Sequence, residues 1–420
     1  MDDELLNTVQ NGSQEDIVKV LTEFNRKNAK TFCFPELNLN KKKRLIDGIY
    51  RHLKDRSATE CHRVCLESIR ILSRDKKNLD ELFNEDIVDT MVYLAGLLGC
   101  PENQSVHQSD LKVINEAQKS LCNLIFNSTV VQRICCNNKC LDGIMMRLKT
   151  FKDSNLPHEI KFFDMRMLFL LTALCADVRP KLRSEHHGLI YLMEIVDLIM
   201  KSNAERNQNY YRGRKRFSKS SRRGRSQTRD SDGFLIPCLD DDEVDLACEV
   251  LKVLFNLTVS VDRLNLEEED EAHFMRLVSI LHDILLCETK SVEKREELQS
   301  HTVNLLTNMP HSSYEELLTP LTDIPGVKSE KELEYEGMNM EAVAILLSFL
   351  EKRLEQKSMN SQKELLSPIL SCLGECARSN RIIRKWLKGK ILPPLKDVMK
   401  KPEEGESLRS WYVQCVFEPV

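Results

Sequence analysis

The residues best suited to covalent or metal chemistry fall into small groups, and each lacks a member. His158-Glu159 begins an H-E-x-x-H motif, but the fifth position is Phe162, so no pair of imidazoles shares a helix face to hold zinc. Cys135, Cys136 and Cys140 form the tightest thiol cluster, and Cys61-His62 with Cys65 the next. The fifteen cysteines include no C-x-x-C, and neither cluster has a second ligand pair nearby, so both read as surface or core thiols of a reduced compartment. Glycine is scarce at fourteen residues, and no two glycines are separated by a single residue. G-x-G-x-x-G, G-x-S-x-G and G-x-x-x-x-G-K-[ST] are all absent, which removes the loops that cradle phosphates or raise a nucleophilic serine. The expectation is a non-catalytic protein with no metal and no cofactor.

Binding chemistry is better represented. Six segments close a helix in the same way: SIRILSRD (68–75), SLCNLIFNS (120–128), FLLTALCAD (169–177), VLFNLTVS (253–260), NLLTNMPHS (304–312) and SCLGECARS (371–379). Aligned at Ile71, Asn123, Ala173, Asn256, Asn308 and Glu375, they are spaced by 52, 50, 83, 52 and 67 residues. Discounting polar insertions of about thirty and fifteen residues brings the long gaps near fifty, slightly above the roughly 40–47 of an armadillo or HEAT unit. Apolar positions at helical spacing run through Ser109–Phe126, Ile160–Cys175, Glu243–Val259 and Met340–Lys357, and alternating strand patterns are scarce. Ser13 followed by Glu15 and Asp16 reads as a helix N-cap,.

The fold class expected is all-α, an armadillo/HEAT-like right-handed superhelical solenoid, whose concave face is the default binding surface. The helices lining that face contribute Arg70, Arg74, Asn123, Phe163, Arg166, Phe169, Asn256, Asn304 and Asn308, a set of carboxylate clamps, aromatics and amides. An asparagine there pairs a ligand backbone through donor and acceptor, or else caps its own helix. Phe163 and Phe169 are six residues apart, so they face different ways and one is expected in the core.

Composition narrows the setting. The first residues, Met1-Asp2-Asp3-Glu4, are acidic rather than basic and apolar, so no export signal is expected. Apolar runs such as 91–100 and 167–176 are about half the length of a membrane helix, which points to the cytoplasm. Residues 206–229 hold ten Lys/Arg and no Asp/Glu, and without those ten charges the net charge of −4 becomes −14. This stretch cannot pack a core. Its readings are contact with anionic lipid or nucleic acid, an import signal, or a regulatory loop phosphorylated at Ser218 or Ser226. The acidic run Asp240 to Glu243 either neutralises it or starts a helix.

Several long strings, in order, resemble the synembryn family: FNRKNAKTFCF (24–34), RILSRDKK (70–77), SLCNLIFNS, FFDMRMLFLLTALCADVR (162–179), HTVNLLTNMP (301–310), GMNMEAVAILLSFLEKRLE (337–355) and RKWLKGKILPPLKDV (384–398). The resemblance implies an armadillo-like superhelix that binds heterotrimeric G-protein alpha subunits. It implies a non-enzymatic guanine nucleotide exchange factor and a chaperone of nascent alpha subunits, with the subunit's C-terminal helix held in the groove. Residues matching the family's groove strings are Arg70, Arg74, Asn123, Phe163, Phe169, and Phe255 with Asn256. The implied partners are alpha subunits that are GDP-bound, nucleotide-free or nascent, and no DNA is expected. The basic stretch 206–229 is a departure from the family pattern, and anionic lipid contact through it, with recruitment to the cell cortex or plasma membrane, is an expectation from its charge alone.

The organisation expected is one repeat domain over 1–409, a basic disordered insert at 201–242, a loop insert at 313–337, and an end at 410–420 that diverges from the family. That end leaves open a shortened isoform that binds alpha subunits without efficient exchange, and the basic stretch leaves open an RNA- or lipid-binding scaffold. An import adaptor is disfavoured, because Trp386 and Trp411 are the only tryptophans and neither has an asparagine four residues later.

Overall fold

The structure, a computed structural model, describes residues 3–55, 59–97, 108–152, 156–201, 238–263, 265–321, 333–355, 362–392, 401 and 407–410. Each of the six recurring segments lies at the end of a helix or in the turn that follows it. Ser13 accepts from the Asp16 amide while Asp16 returns a bond to the cap, and Asp240 makes the same reciprocal pair with Glu243. The acidic run at 240–243 is thus a helix start, its charges set against the helix's positive end.

The chain divides into two compact units, residues 1–191 and 192–420. In the first, α1 (Asp3–Asn11), α3 (Leu39–Lys54) and α5 (Glu85–Leu94) pack in sequence, as do α2 (Gln14–Asn28), α4 (Thr59–Leu72), α6 (Gln108–Asn127) and α9 (His158–Leu174). α7 (Thr129–Asn137) and α8 (Cys140–Lys149) complete this unit. The two rows meet over fully buried residues including Leu45, Ile49, Leu66, Ile69, Leu121 and Leu171, each burial worth about 1.5–3 kcal/mol. Gly143 permits the closest approach, since a Cβ there would stand 2.1 Å from the Leu97 carbonyl oxygen.

The helix at 188–201, α10, straddles the division in sequence. The second unit packs α11 (Asp241–Thr258) on α13 (Val292–Leu306), α13 on α15 (Gln362–Ser379), α12 (Glu268–Leu286) on α14 (Glu341–Glu355), and α15 on α16 (Arg381–Ile391). Its few strands are two-residue pairings, Cys238–Leu239 parallel to Glu288–Thr289, and Met338–Asn339 between Thr319–Pro320 and Glu334–Tyr335.

The repeat seen in the sequence is written in hydrogen bonds. Asn123 Nδ2 donates to the Arg70 carbonyl at 3.1 Å, and Asn308 Nδ2 to the Phe255 carbonyl at 3.1 Å, both across 53 residues. Ser120 and Asn127 make the same kind of tether to Leu66 and Ser73, each across 54 residues. A side-chain amide near one helix end therefore ties down the previous repeat.

Of the insert at 201–242, residues 202–237 lie outside the described residues, and with them the basic stretch 206–229, Ser218 and Ser226. Of the insert at 313–337, the described beginning belongs to the core. Tyr314 is fully buried and its hydroxyl donates to the Leu306 carbonyl at 2.5 Å, which satisfies the phenol where no water reaches it. Residues 411–420 also lie outside the described set. Among the described residues no helix is long and apolar enough to cross a membrane.

Candidate functional site

The row α4, α6 and α9 presents a groove of about 630 Å³ lined by Phe32, Arg70, Arg74, Lys119, Cys122, Asn123, Phe126, Asn127, Phe162, Phe163 and Arg166. Five residues nominated from the sequence meet here: Arg70, Arg74, Asn123, Phe163 and Arg166. Arg70, Asn123, Phe163 and Arg166 line the groove from α4, α6 and α9, Arg74 joins them from the turn after α4, and the tethers across 53 and 54 residues hold neighbouring helices in register. Phe169 is half-buried on the same helix as Phe163, with the Arg166 guanidinium 5.7 Å from its ring centre. Neither phenylalanine lies in the buried core, so the expected division of one outside and one inside does not hold; the core side of α9 is filled by Met165, Met167, Leu168 and Leu171.

The groove is basic and aromatic at once. Arg74 stacks 5.3 Å from the Phe32 ring centre and donates to the Ala29 carbonyl at 2.7 Å. Partial burial, with the neighbouring Arg70 charge, lowers its pKa from the usual guanidinium value. Lys119 lies 5.4 Å from Phe163, which meets Phe162 edge-on at 5.2 Å between centres. Arg70 is already committed: its Nε donates to Glu116, and Glu67 stands 3.6 Å away. Phe32 and Phe126, which line the same groove, are 66% and 57% exposed, an uncommon state for large apolar rings. Such a surface suits an amphipathic segment that carries carboxylates and buries apolar side chains.

Beneath the groove, α9 is anchored by Asp164, the residue after Phe163. Its carboxylate accepts from Arg147 at 2.5 Å and Gln118 at 2.7 Å. Burial pushes its pKa up to about 6, against the downward pull of Arg147 and Gln118.

The other nominated residues belong to the second unit. Phe255 and Asn304 are half-buried, while Asn256 and Asn308 are 8% and 6% exposed. Asn308 uses its amide N–H inside the fold, on the Phe255 carbonyl and the Thr258 hydroxyl, and Asn123 likewise gives a donor to Arg70. Inter-repeat tethering is thus a third role for Asn123 and Asn308, beside ligand pairing and capping of their own helix. The groove residues not nominated were Phe32, Lys119, Cys122, Phe126, Asn127 and Phe162. Lys119, Phe126 and Asn127 lie at helical intervals from Asn123, a signal the periodicity carried, whereas Phe32 enters from the connection between α2 and α3.

The thiol clusters resolve into pairs. All are free thiols: Cys135 is in hydrogen-bond contact with Cys140, and Cys136 with Cys175; that contact and burial raise the Cys135 pKa, and burial chiefly raises that of Cys136. In the helix Thr59–Leu72, Cys61 and Cys65 hydrogen-bond.

A family profile described as "Guanine nucleotide exchange factor synembryn" matches residues 65–420. "Chaperone Ric-8A" of Gallus gallus is 37% identical over 409 residues, covering 97% of this chain and 71% of that one. "Chaperone Ric-8B" of Rattus norvegicus is 36% identical over 437 residues, covering 99% and 79%. Among solved structures, one titled for a phosphorylation switch controlling the interaction between cadherin and beta-catenin aligns with a TM-score of 0.53 at 9% identity, over 93% of this chain and 55% of that one. SYS-1 aligns at 0.51 and 13% identity, over 95% and 63%. At these identities the likeness concerns the fold alone, and it agrees with an all-α chain of armadillo-like repeats.

Proposed function

The chain belongs to the synembryn family of guanine nucleotide exchange factors, and on that footing we propose that it binds G-protein alpha subunits, promotes GDP release and assists their folding. The observation that carries this reading is the meeting of Arg74, Lys119 and Arg166 with Phe32, Phe126 and Phe163 in one groove. The cations attract a negatively charged segment, and the exposed rings reward burial of its apolar face. The segment we assign to the groove is the alpha subunit's C-terminal helix, which brings a terminal carboxylate.

The mechanism needs no general acid or base. A helix held in the groove is withheld from its own domain, so the chain prefers alpha subunits whose nucleotide site is open. By linkage, a binder that prefers the open state weakens nucleotide by the factor by which nucleotide weakens the binder. The same preference retains an alpha subunit that has not finished folding. Exchange and chaperoning are then two consequences of one differential affinity.

Capture of purified alpha subunits by the 420-residue chain, with no nucleotide, with GDP and with a non-hydrolysable GTP analogue, tests this. Capture should be strongest without nucleotide and weakest with the analogue. Equal capture in all three states would remove the linkage on which the reading depends.

A further inference from the structure

A second cluster lies outside the groove, between α11 and α13. Cys248 of α11 faces Glu297 and His301 of α13, and one donor atom from each, the Cys248 sulfur, a Glu297 oxygen and a His301 nitrogen, lies within 4.8 Å of the others. The arrangement follows from helix geometry. Glu297 and His301 are four residues apart and share a face of α13, and that face meets the side of α11 that carries Asp245, Cys248 and Lys252. Cys248 is 1% exposed, while Glu297 and His301 are half-buried, so the cluster is enclosed on the thiol side and reachable from solvent on the other.

We propose that Cys248, Glu297 and His301 form a binding site for a zinc-class divalent ion that clasps α11 to α13. Thiolate, imidazole and carboxylate are the donors of zinc sites, and a tetrahedral ion with bonds of about 2.0–2.3 Å holds its ligand atoms roughly 3.3–3.8 Å apart. Side-chain rotations of about an ångström close the trio to that spacing. Neither the Cys248 thiol nor the His301 ring has a hydrogen-bond partner among the described residues, so both donors are available. Glu297 Oε2 accepts from Lys294 Nζ at 2.9 Å, which leaves Oε1 for the ion.

The two nearby ammonium groups are held by carboxylates. Lys252 lies 2.5 Å from Glu249, and Lys294 is bonded to Asp245 as well as Glu297. With the thiol protonated and the imidazole neutral, Asp245, Glu249 and Glu297 outnumber Lys252 and Lys294 by one negative charge. Binding a dication forms the metal–sulfur bond, and the thiol proton leaves to solvent. The cluster then becomes neutral, with water completing the fourth position.

Cobalt(II) added to the reduced, chelator-treated 420-residue chain reports the site directly. Thiolate ligation gives a sulfur-to-cobalt charge-transfer band, which should saturate at one equivalent and disappear on addition of zinc. Cys248→Ala should abolish the band. Glu297→Gln and His301→Gln should each weaken cobalt affinity at least tenfold, and Cys136→Ser should leave both band and affinity intact. The half-buried His301→Gln change keeps the test usable if the Cys248 variant folds poorly. A wild-type chain with no charge-transfer band would overturn the proposal. So would a band that survives Cys248→Ala, or one that is lost in Cys136→Ser.

Discussion

Truncating Phe126 to alanine separates recognition from folding, because its ring is already 57% exposed. A phenylalanine offers about 200 Å² for burial, so roughly 110 Å² is left for a partner to cover. At about 25 cal/mol per Å² that is about 3 kcal/mol at most, and ordering costs on association reduce the realised share to about 1.5–2 kcal/mol. Affinity should fall roughly 10- to 30-fold. The fold loses little, since the visible partner of the ring is Lys76, 5.1 Å from its centre, an exposed cation–π contact worth about 0.5 kcal/mol. Fluorescence anisotropy with a labelled C-terminal peptide of an alpha subunit gives the affinity, and thermal melting checks the fold. Met146→Ala removes an apolar residue of similar exposure, 67%, that does not line the groove, and should leave the affinity unchanged. A Phe126→Ala affinity within twofold of wild type, with folding intact, would refute the groove as the peptide site.

Asn308→Ala removes one buried and one half-buried hydrogen bond from a buried side chain and should cost roughly 2 kcal/mol in urea unfolding, whereas Asn123→Ala, half-buried with one bond, should cost about 1,; equal, negligible costs would deny the tethers a role. Asp164 carries a pKa raised to about 6 from 3.8, so the folded state favours its protonated form and that contribution is lost as pH rises through about 6. The stability of wild type relative to Asp164→Asn should therefore fall by about 2 kcal/mol between pH 4 and 7, and a flat difference would contradict the burial assigned to it. Gly143→Ala places a Cβ 2.1 Å from the Leu97 carbonyl and should lower the melting temperature markedly, with about 1–3 kcal/mol lost to overpacking.

Local features were legible because local physics decides them. The Ser13 cap, the helix over 108–127 and the recurrence near 52 residues follow from side-chain spacing. Asn123 and Asn308 prove equivalent even in the carbonyl each binds. Arg70, Arg74, Asn123, Phe163 and Arg166 were found because repeat units reuse one helix face. What sequence could not reveal depends on contacts across repeats. Arg70 looked like an open carboxylate clamp, but Glu116, 46 residues away, already pairs with it. Asn308 looked available to a ligand until the end of α11 was seen to occupy its amide. Phe32 lies in a connection with no periodicity to mark it, and Tyr314 sits in a segment whose Pro and Glu content suggested an external loop. Cys248 is 49 residues from Glu297, and only packing brings it together with Glu297 and His301.

The most direct test is the rate at which an intact alpha subunit releases labelled GDP in the presence of this 420-residue chain or of its Arg74→Ala, Phe126→Ala double variant. The wild-type chain should accelerate release in proportion to its concentration, and the double variant should lose most of that acceleration while keeping its melting temperature. Release that the wild-type chain does not accelerate, or that the folded double variant accelerates equally, would contradict exchange through the α4, α6 and α9 groove.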